Sequence, residues 1–205
     1  MSFKKLNTAL IEALERLEIQ TPLPFQKQIL PKISSGRDLF IVAPEGSGKT
    51  TSLVISTIQK LESVAFEDAP RALIFVEHKE AALALEEEFR KFTKYMNLRI
   101  FSAFDAPDIE KQKNEIYNGV DIVIATPKKL FKLFKITGIN VSQLKIIAVE
   151  DAEFLTKNSD YNDLIRIPQH ISKCQYLVFA STINSKIERL KDSFMARAEV
   201  LRIKV

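Results

Sequence analysis

The run Ala43-Pro44-Glu45-Gly46-Ser47-Gly48-Lys49-Thr50 constrains this chain more than any other segment. It fits the phosphate-loop pattern G-x-x-x-x-G-K-[ST], with Ala43 in the first position. In such a loop the glycines let backbone N–H groups close around phosphate oxygens. The lysine supplies a point charge to the β and γ phosphates, and the threonine hydroxyl can ligate Mg²⁺. The flanks suit this chemistry: the apolar run 38–42 predicts a buried strand entering the loop, and 51–61 predicts an amphipathic helix leaving it. A helix N-terminus is thereby aimed at phosphate. The expected ligand is a nucleoside triphosphate with Mg²⁺, held by Glu45, Gly46, Ser47, Gly48, Lys49, Thr50 and Thr51.

A chain of 205 residues with 46% hydrophobic content supports one core, and no Pro/Gly/Ser-rich linker or internal repeat divides it. A single domain over 1–205 is expected. No apolar stretch is long enough for a secretory h-region or a membrane span, so a cytoplasmic protein without membrane contact is predicted. One cysteine, Cys174, excludes an intramolecular disulfide, and with two histidines it leaves no zinc-type ligand cluster. Cys174 reads as a packing residue near a strand start. The net charge of +4 permits contact with a polyanion without requiring one.

Apolar runs at 38–42, 71–76, 98–102, 121–125, 145–149, 175–180 and 198–203 alternate with helical patterns such as 80–95. The alternation predicts an α/β fold, a mostly parallel sheet with helices on both faces. Ligands of such sheets bind beyond the carboxyl ends of the strands. The segments 43–51, 76–79, 126–129, 150–153 and 181–182 are therefore where chemistry is sought. At 145–149 an apolar strand ends in Glu150-Asp151-Ala152-Glu153, the form of a Walker B element. One carboxylate there would hold Mg²⁺ and a neighbour would orient or deprotonate the attacking water. The other reading of these acids is a helix N-terminus whose dipole favours negative charge.

These motifs together resemble the N-terminal, RecA-like ATP-binding lobe of the DEAD-box RNA helicases, a three-layer P-loop NTPase fold. Thr21-Pro22-Leu23-Pro24-Phe25-Gln26 resembles the family's Q motif, with Phe3 as its upstream aromatic, so the Q-like segment spans 3–26. The resemblance implies that Gln26 reads the adenine edge, its amide both donating and accepting, which favours ATP over GTP. Ile124-Ala125-Thr126-Pro127 resembles the family's RNA-backbone motif, implying RNA contact at Thr126, Pro127, Lys128 and Lys129. Glu150-Asp151-Ala152-Glu153 stands where the family has Asp-Glu-Ala-Asp, and Phe179-Ala180-Ser181-Thr182 where it has Ser-Ala-Thr. By that match Lys49, Glu150 and Asp151 form the catalytic set, Thr50 and Glu150 hold the metal, and Ser181 and Thr182 couple nucleotide to RNA.

The departures are specific. Every carboxylate of the acidic motif is exchanged for the other type, which shifts each by roughly 1 Å, and a misplacement of that size can cost on the order of 10²-fold in rate. Ala180-Ser181 transposes the third motif's first two residues. Leu23 replaces a hydroxyl residue, and Glu45 adds negative charge to an anion-binding loop. At 76–80 Val-Glu-His-Lys-Glu replaces Pro-Thr-Arg-Glu-Leu, and Asp105-Ala106 replaces a Gly-Gly pair. Lys128 and Lys129 stand in place of Gly-Arg and read either as phosphate contacts or as solvated surface. No second lobe is legible before Val205. Arginine fingers, which that lobe contributes in the family, supply about 10³ to 10⁵ in turnover. The expectation is an ATP-binding lobe of a helicase-like hydrolase, binding Mg·ATP and single-stranded RNA with weak or no hydrolysis alone. The alternatives are a non-catalytic nucleotide-gated module that binds RNA or a protein, and an unrelated phosphate-loop kinase or small NTPase.

Overall fold

The computed structural model describes residues 3–105, 108–168, 171 and 173–203. Among them seven strands form one sheet: β1 (Leu39–Val42), β2 (Ala72–Phe75), β3 (Ile100–Ala103), β4 (Ile122–Ala125), β5 (Ile146–Val149), β6 (Gln175–Ala180) and β7 (Glu199–Arg202). Their order is β3-β4-β2-β5-β6-β1-β7, and every pairing is parallel. The α-helices of the described residues are α1 (Thr8–Arg16), α2 (Pro24–Ser34), α3 (Lys49–Lys60), α4 (Lys79–Thr93), α5 (Ile109–Tyr117), α6 (Pro127–Lys135), α7 (Asn158–Arg166) and α8 (Ser185–Ser193).

Strand side chains alternate between faces, and the cores follow that period of two. Leu39 and Ile41, Ile74, Ile124, Ala148 and Phe179 belong to one buried cluster with α1 to α4. Phe40, Leu73, Phe75, Val123, Val149 and Val178 belong to a second with α5 to α8. Strands buried on both faces must be apolar throughout, which is why β2, β4 and β5 read Ala-Leu-Ile-Phe, Ile-Val-Ile-Ala and Ile-Ile-Ala-Val. The three-layer α/β expectation holds. The third predicted strand, 98–102, starts later, at Ile100. Arg99 is instead engaged by Asp121, whose Oδ2 accepts from the Arg99 N–H (3.1 Å) and Nε (2.9 Å).

The strand order places the carboxyl-terminal loops side by side along one edge. Read from β3 to β1, they are 104–105, 126–129, 76–79, 150–153, 181–182 and 43–48. The segments singled out in the sequence are thus brought to one edge of the sheet. On the opposite edge Asp121 is fully buried and accepts from Arg71 Nη2 at 2.7 Å, tying the amino-terminal ends of β2, β3 and β4 together.

Candidate nucleotide site and the adjoining basic face

β1 delivers the chain into a loop whose shape depends on glycine. Gly46 and Gly48 have φ of 73° and 94°, and a Cβ on Gly48 would stand 2.9 Å from Gln26 Nε2. Helix α3 begins at Lys49, two residues earlier than the predicted 51–61, so Lys49, Thr50 and Thr51 form its first turn. Glu45 is exposed and Ser47 is buried, its Oγ without a hydrogen-bond partner among the described residues. A buried orphan hydroxyl in a loop of this kind fits a phosphate ligand.

Lys49 is only 7% exposed. Its ammonium donates to the carbonyls of Ala43 (3.0 Å) and Pro44 (3.3 Å) and to Ser181 Oγ (2.8 Å), and lies 3.9 Å from Asp151 Oδ1. These contacts exist because β1 is flanked by β6, with Val42 in register with Ala180 and the Ala43 N–H donating to the Ala180 carbonyl at 3.0 Å.

The acidic motif leaves β5 beside β6. Glu150 is half-buried, with the Thr50 side chain beside its carboxyl. Burial pushes its carboxyl up to about 7; Asp151 adds to that shift, and the Thr50 hydroxyl and Lys49 oppose it. The two residues assigned to Mg²⁺, Thr50 and Glu150, therefore meet. Among the described residues no group of three His, Cys, Asp or Glu makes a ready metal cage. A Mg²⁺ here would rely on phosphate oxygens and water, as that ion commonly does.

Asp151 has φ 43° and ψ 60°, a left-handed conformation that asparagine and aspartate tolerate best. The residue is 67% exposed on its side chain. Partial burial, with Glu153 and Glu45 adding to it and Lys49 opposing, raises its carboxyl above the ordinary range. The helix-dipole reading of these acids is corrected: they lead into a three-residue 3-10 turn, Ala152–Phe154, and α7 starts only at Asn158. Glu153, which the sequence does not single out as a site residue, has a defined partner. Its Oε1 accepts from the backbone N–H groups of Ser181 and of Thr182, the latter at 2.8 Å.

Gln26 is 2% exposed and sits in the first turn of α2, which opens with Pro24 at its first position. Its Oε1 accepts from the Leu23 N–H at 2.9 Å, so this side chain holds the helix start against the loop. The Q-like segment and the phosphate loop are in contact. Phe3 belongs to the amino-terminal segment. It opens a 3-10 turn, Phe3–Lys5, half-buried against the first cluster. Nearby Asn7 donates its N–H to Gln59, ten residues beyond Lys49 on α3 and so about 15 Å along its axis.

The basic segment forms a second group at the ends of β3 and β4. Thr126 precedes α6 and Pro127 is its first residue. Lys128, Lys132 and Lys129 approach the Asp105 carboxylate at 2.9, 3.7 and 3.9 Å. The Lys128 hydrogen bond holds the Asp105 carboxyl below its usual range, while burial lowers Lys129, which is 2% exposed. Ala106 lies outside the described residues. His78 caps α4, its Nδ1 accepting from the Ala81 N–H at 3.1 Å.

Comparison with known proteins agrees with this geometry. The ATP-dependent RNA helicase DeaD of Buchnera aphidicola is 28% identical over 204 residues, covering 98% of this chain and 34% of the relative. The ATP-dependent RNA helicase DBP8 of Meyerozyma guilliermondii is 31% identical over 201 residues, covering 94% and 46%. The chain thus spans less than half the length of these relatives. In fold it matches a DEAD box protein from Methanococcus jannaschii (TM-score 0.89, 21% identity, 98% of this chain and 56% of that one). It also matches the yeast DEAD-box splicing factor Prp28 (TM-score 0.85, 22% identity, 98% and 50%). The family model for the DEAD/DEAH box helicase matches residues 23–190, from the Q-like segment through the acidic motif to α8, and the chain belongs to that family.

Proposed function

We propose that this chain is the ATP-binding lobe of an ATP-dependent RNA helicase, binding Mg·ATP at the phosphate loop and single-stranded RNA along the ends of β3 and β4. The observation that carries the reading is the convergence of three strand ends: Lys49 reaches Ser181 and Asp151, and Thr50 lies beside Glu150. Membership of the family supports ATP as the nucleotide and RNA as the polymer.

Residue roles follow from the contacts. The 46–51 backbone and Ser47 Oγ receive phosphate oxygens, Lys49 leaves its two carbonyl partners for the β and γ phosphates, and Gln26 holds the adenine side. Thr50 and Glu150 would hold Mg²⁺, which supplies charge neutralisation for the transferred phosphoryl group. Asp151 is the residue that positions water. Through Glu153, the acidic motif holds the backbone of Ser181 and Thr182, a link between nucleotide site and the rest of the edge.

A second reading, a nucleotide-gated module without turnover, is favoured by Asp105, which already neutralises part of the basic face. Phosphate release measured with and without single-stranded RNA separates them. RNA-stimulated release that Asp151→Asn abolishes supports a working helicase site. Release at background under all conditions, with ATP bound, supports the module.

A further inference from the structure

The amino-terminal edge of the sheet carries a polar cavity that the nucleotide reading does not use. Because β5, β6 and β1 are neighbours, the residues that precede them, Lys145, Cys174 and Asp38, stand along one stretch of that edge. Lys60, the last residue of α3, Lys173 and Gln175 join them in the walls of a cavity of about 490 Å³. A second cavity of about 470 Å³ shares Lys60 and Gln175 with it. Both volumes fall in the range of small-molecule sites.

Lys60 and Lys145 are half-buried, and none of the three lysines has an ion-pair partner among the described residues. By contrast Lys32, Lys91, Lys128 and Lys132 each lie against a carboxylate. Asp38 is the one carboxylate among the described lining residues, and it is held by the Tyr176 N–H, which donates to its Oδ1 at 2.8 Å. Burial pushes the Cys174 thiol up to about 12, so it adds no charge. Gln175 is 4% exposed. Its Nε2 donates to the carbonyls of Ile33 and Arg37 at 2.8 and 2.9 Å, which leaves its Oε1 without a partner among the described residues. The walls therefore offer uncompensated cations beside acceptors that lack a donor.

We propose that this cavity binds a phosphate monoester carried on a sugar. Three ammonium groups against one carboxylate leave an excess of two positive charges, which a monoester balances and the single charge of a diester does not. Lysine serves phosphate as a point charge. The sugar hydroxyls supply the donors that Asp38 and Gln175 Oε1 lack. The site is separate from the phosphate loop, which lies at the other end of α3, about 17 Å from Lys60 along the helix.

The test is titration of the ¹⁵N-labelled chain with ribose 5-phosphate, with ribose as control, read from amide spectra. Shifts are expected at 36–38, 60, 145 and 173–175. Lys60→Gln and Lys145→Gln should each weaken the binding roughly tenfold, as the loss of a hydrogen bond to a charged group does. The 5′-phosphate end of an RNA chain offers the same chemistry, so a short 5′-phosphorylated RNA is compared with its 5′-hydroxyl counterpart. Tighter binding of the phosphorylated RNA than of ribose 5-phosphate assigns the site to RNA ends, and the reverse order assigns it to a free sugar phosphate. Shifts confined to 43–51, equal binding of ribose or of the 5′-hydroxyl RNA, or unchanged affinity in both lysine variants overturns the proposal and leaves the nucleotide reading standing. Thermal melts check that each variant is folded.

Discussion

Glu150→Gln should make the nucleotide-free protein more stable at pH 8 and leave it nearly unchanged at pH 4. Burial, Asp151 and Glu88 raise the Glu150 carboxyl from 4.5 to about 7, against the neighbouring Thr50 hydroxyl and Lys49. The folded chain therefore binds this proton more tightly than the unfolded chain. Below pH 4.5 the group is neutral in both states and no penalty exists. Between 4.5 and 7 the unfolded chain ionises first, so stability falls as pH rises, and above 7 the full penalty persists. With about 1.36 kcal/mol per pH unit, a rise of this size corresponds to about 3 kcal/mol as an upper bound. Glutamine keeps an acceptor for the Thr50 hydroxyl and removes the charge. Each kcal/mol moves the midpoint of a domain this size by about 2 to 4 °C. Thermal unfolding of both proteins at pH 4 and pH 8 measures the difference, expected to be several degrees at pH 8 and close to zero at pH 4. An E150Q protein destabilised at pH 8, or shifted equally at both pH values, would refute the idea that a charge is stored here for a ligand to neutralise.

Three further outcomes rest on the Asp105 and Asp121 contacts. Asp105→Asn removes the carboxylate that the exposed Lys128 and Lys132 share. Single-stranded RNA should then bind severalfold tighter, and each additional phosphate engaged should steepen the dependence of log affinity on log salt concentration by about 0.7. Unchanged affinity in fluorescence anisotropy would leave Asp105 a surface residue. Asp121→Ala strands the buried Arg71 guanidinium and should cost about 3 to 5 kcal/mol in denaturant unfolding, whereas a loss under about 1 kcal/mol would contradict its structural role. Burial would raise Asp121, but its bonds from Arg99, Arg71 and the Phe66 N–H outweigh this and hold it below the usual range. Its stabilisation is accordingly present above the ordinary aspartate range and lost as pH falls through the lower folded value, so Asp121→Ala should flatten part of the acid limb of the stability profile.

Much of the fold is legible in the chain because strands buried on both faces are forced to be apolar, and apolar runs are visible in a single sequence. The runs at 71–76, 121–125 and 145–149 each contain their strand with one or two spare residues. The illegible part depends on which strands are neighbours. Asp105 meets Lys128 because β3 lies beside β4, and Glu153 holds Ser181 because β5 lies beside β6; no local pattern encodes either adjacency. The Gln26 amide reads as an adenine contact, yet its oxygen also serves the start of α2, a role set by Pro24 and Leu23 next to it. Phe3 enters the Q-like segment by resemblance alone, and in the structure it opens a 3-10 turn that packs against the first cluster. The acids at 150–153 allow either a metal site or a helix terminus, and only the three-residue turn at Ala152–Phe154 decides against the helix.

The proposed function stands on Mg·ATP binding at the phosphate loop through Lys49. Calorimetric titration of wild type and Lys49→Ala with Mg·ATP, using GTP as control, tests it most directly. Saturable, Mg²⁺-dependent ATP binding is expected, with weaker GTP binding and loss of the ATP signal in Lys49→Ala with the fold intact. Equal ATP binding by both proteins, or none by wild type, would contradict it and leave the loop a structural turn.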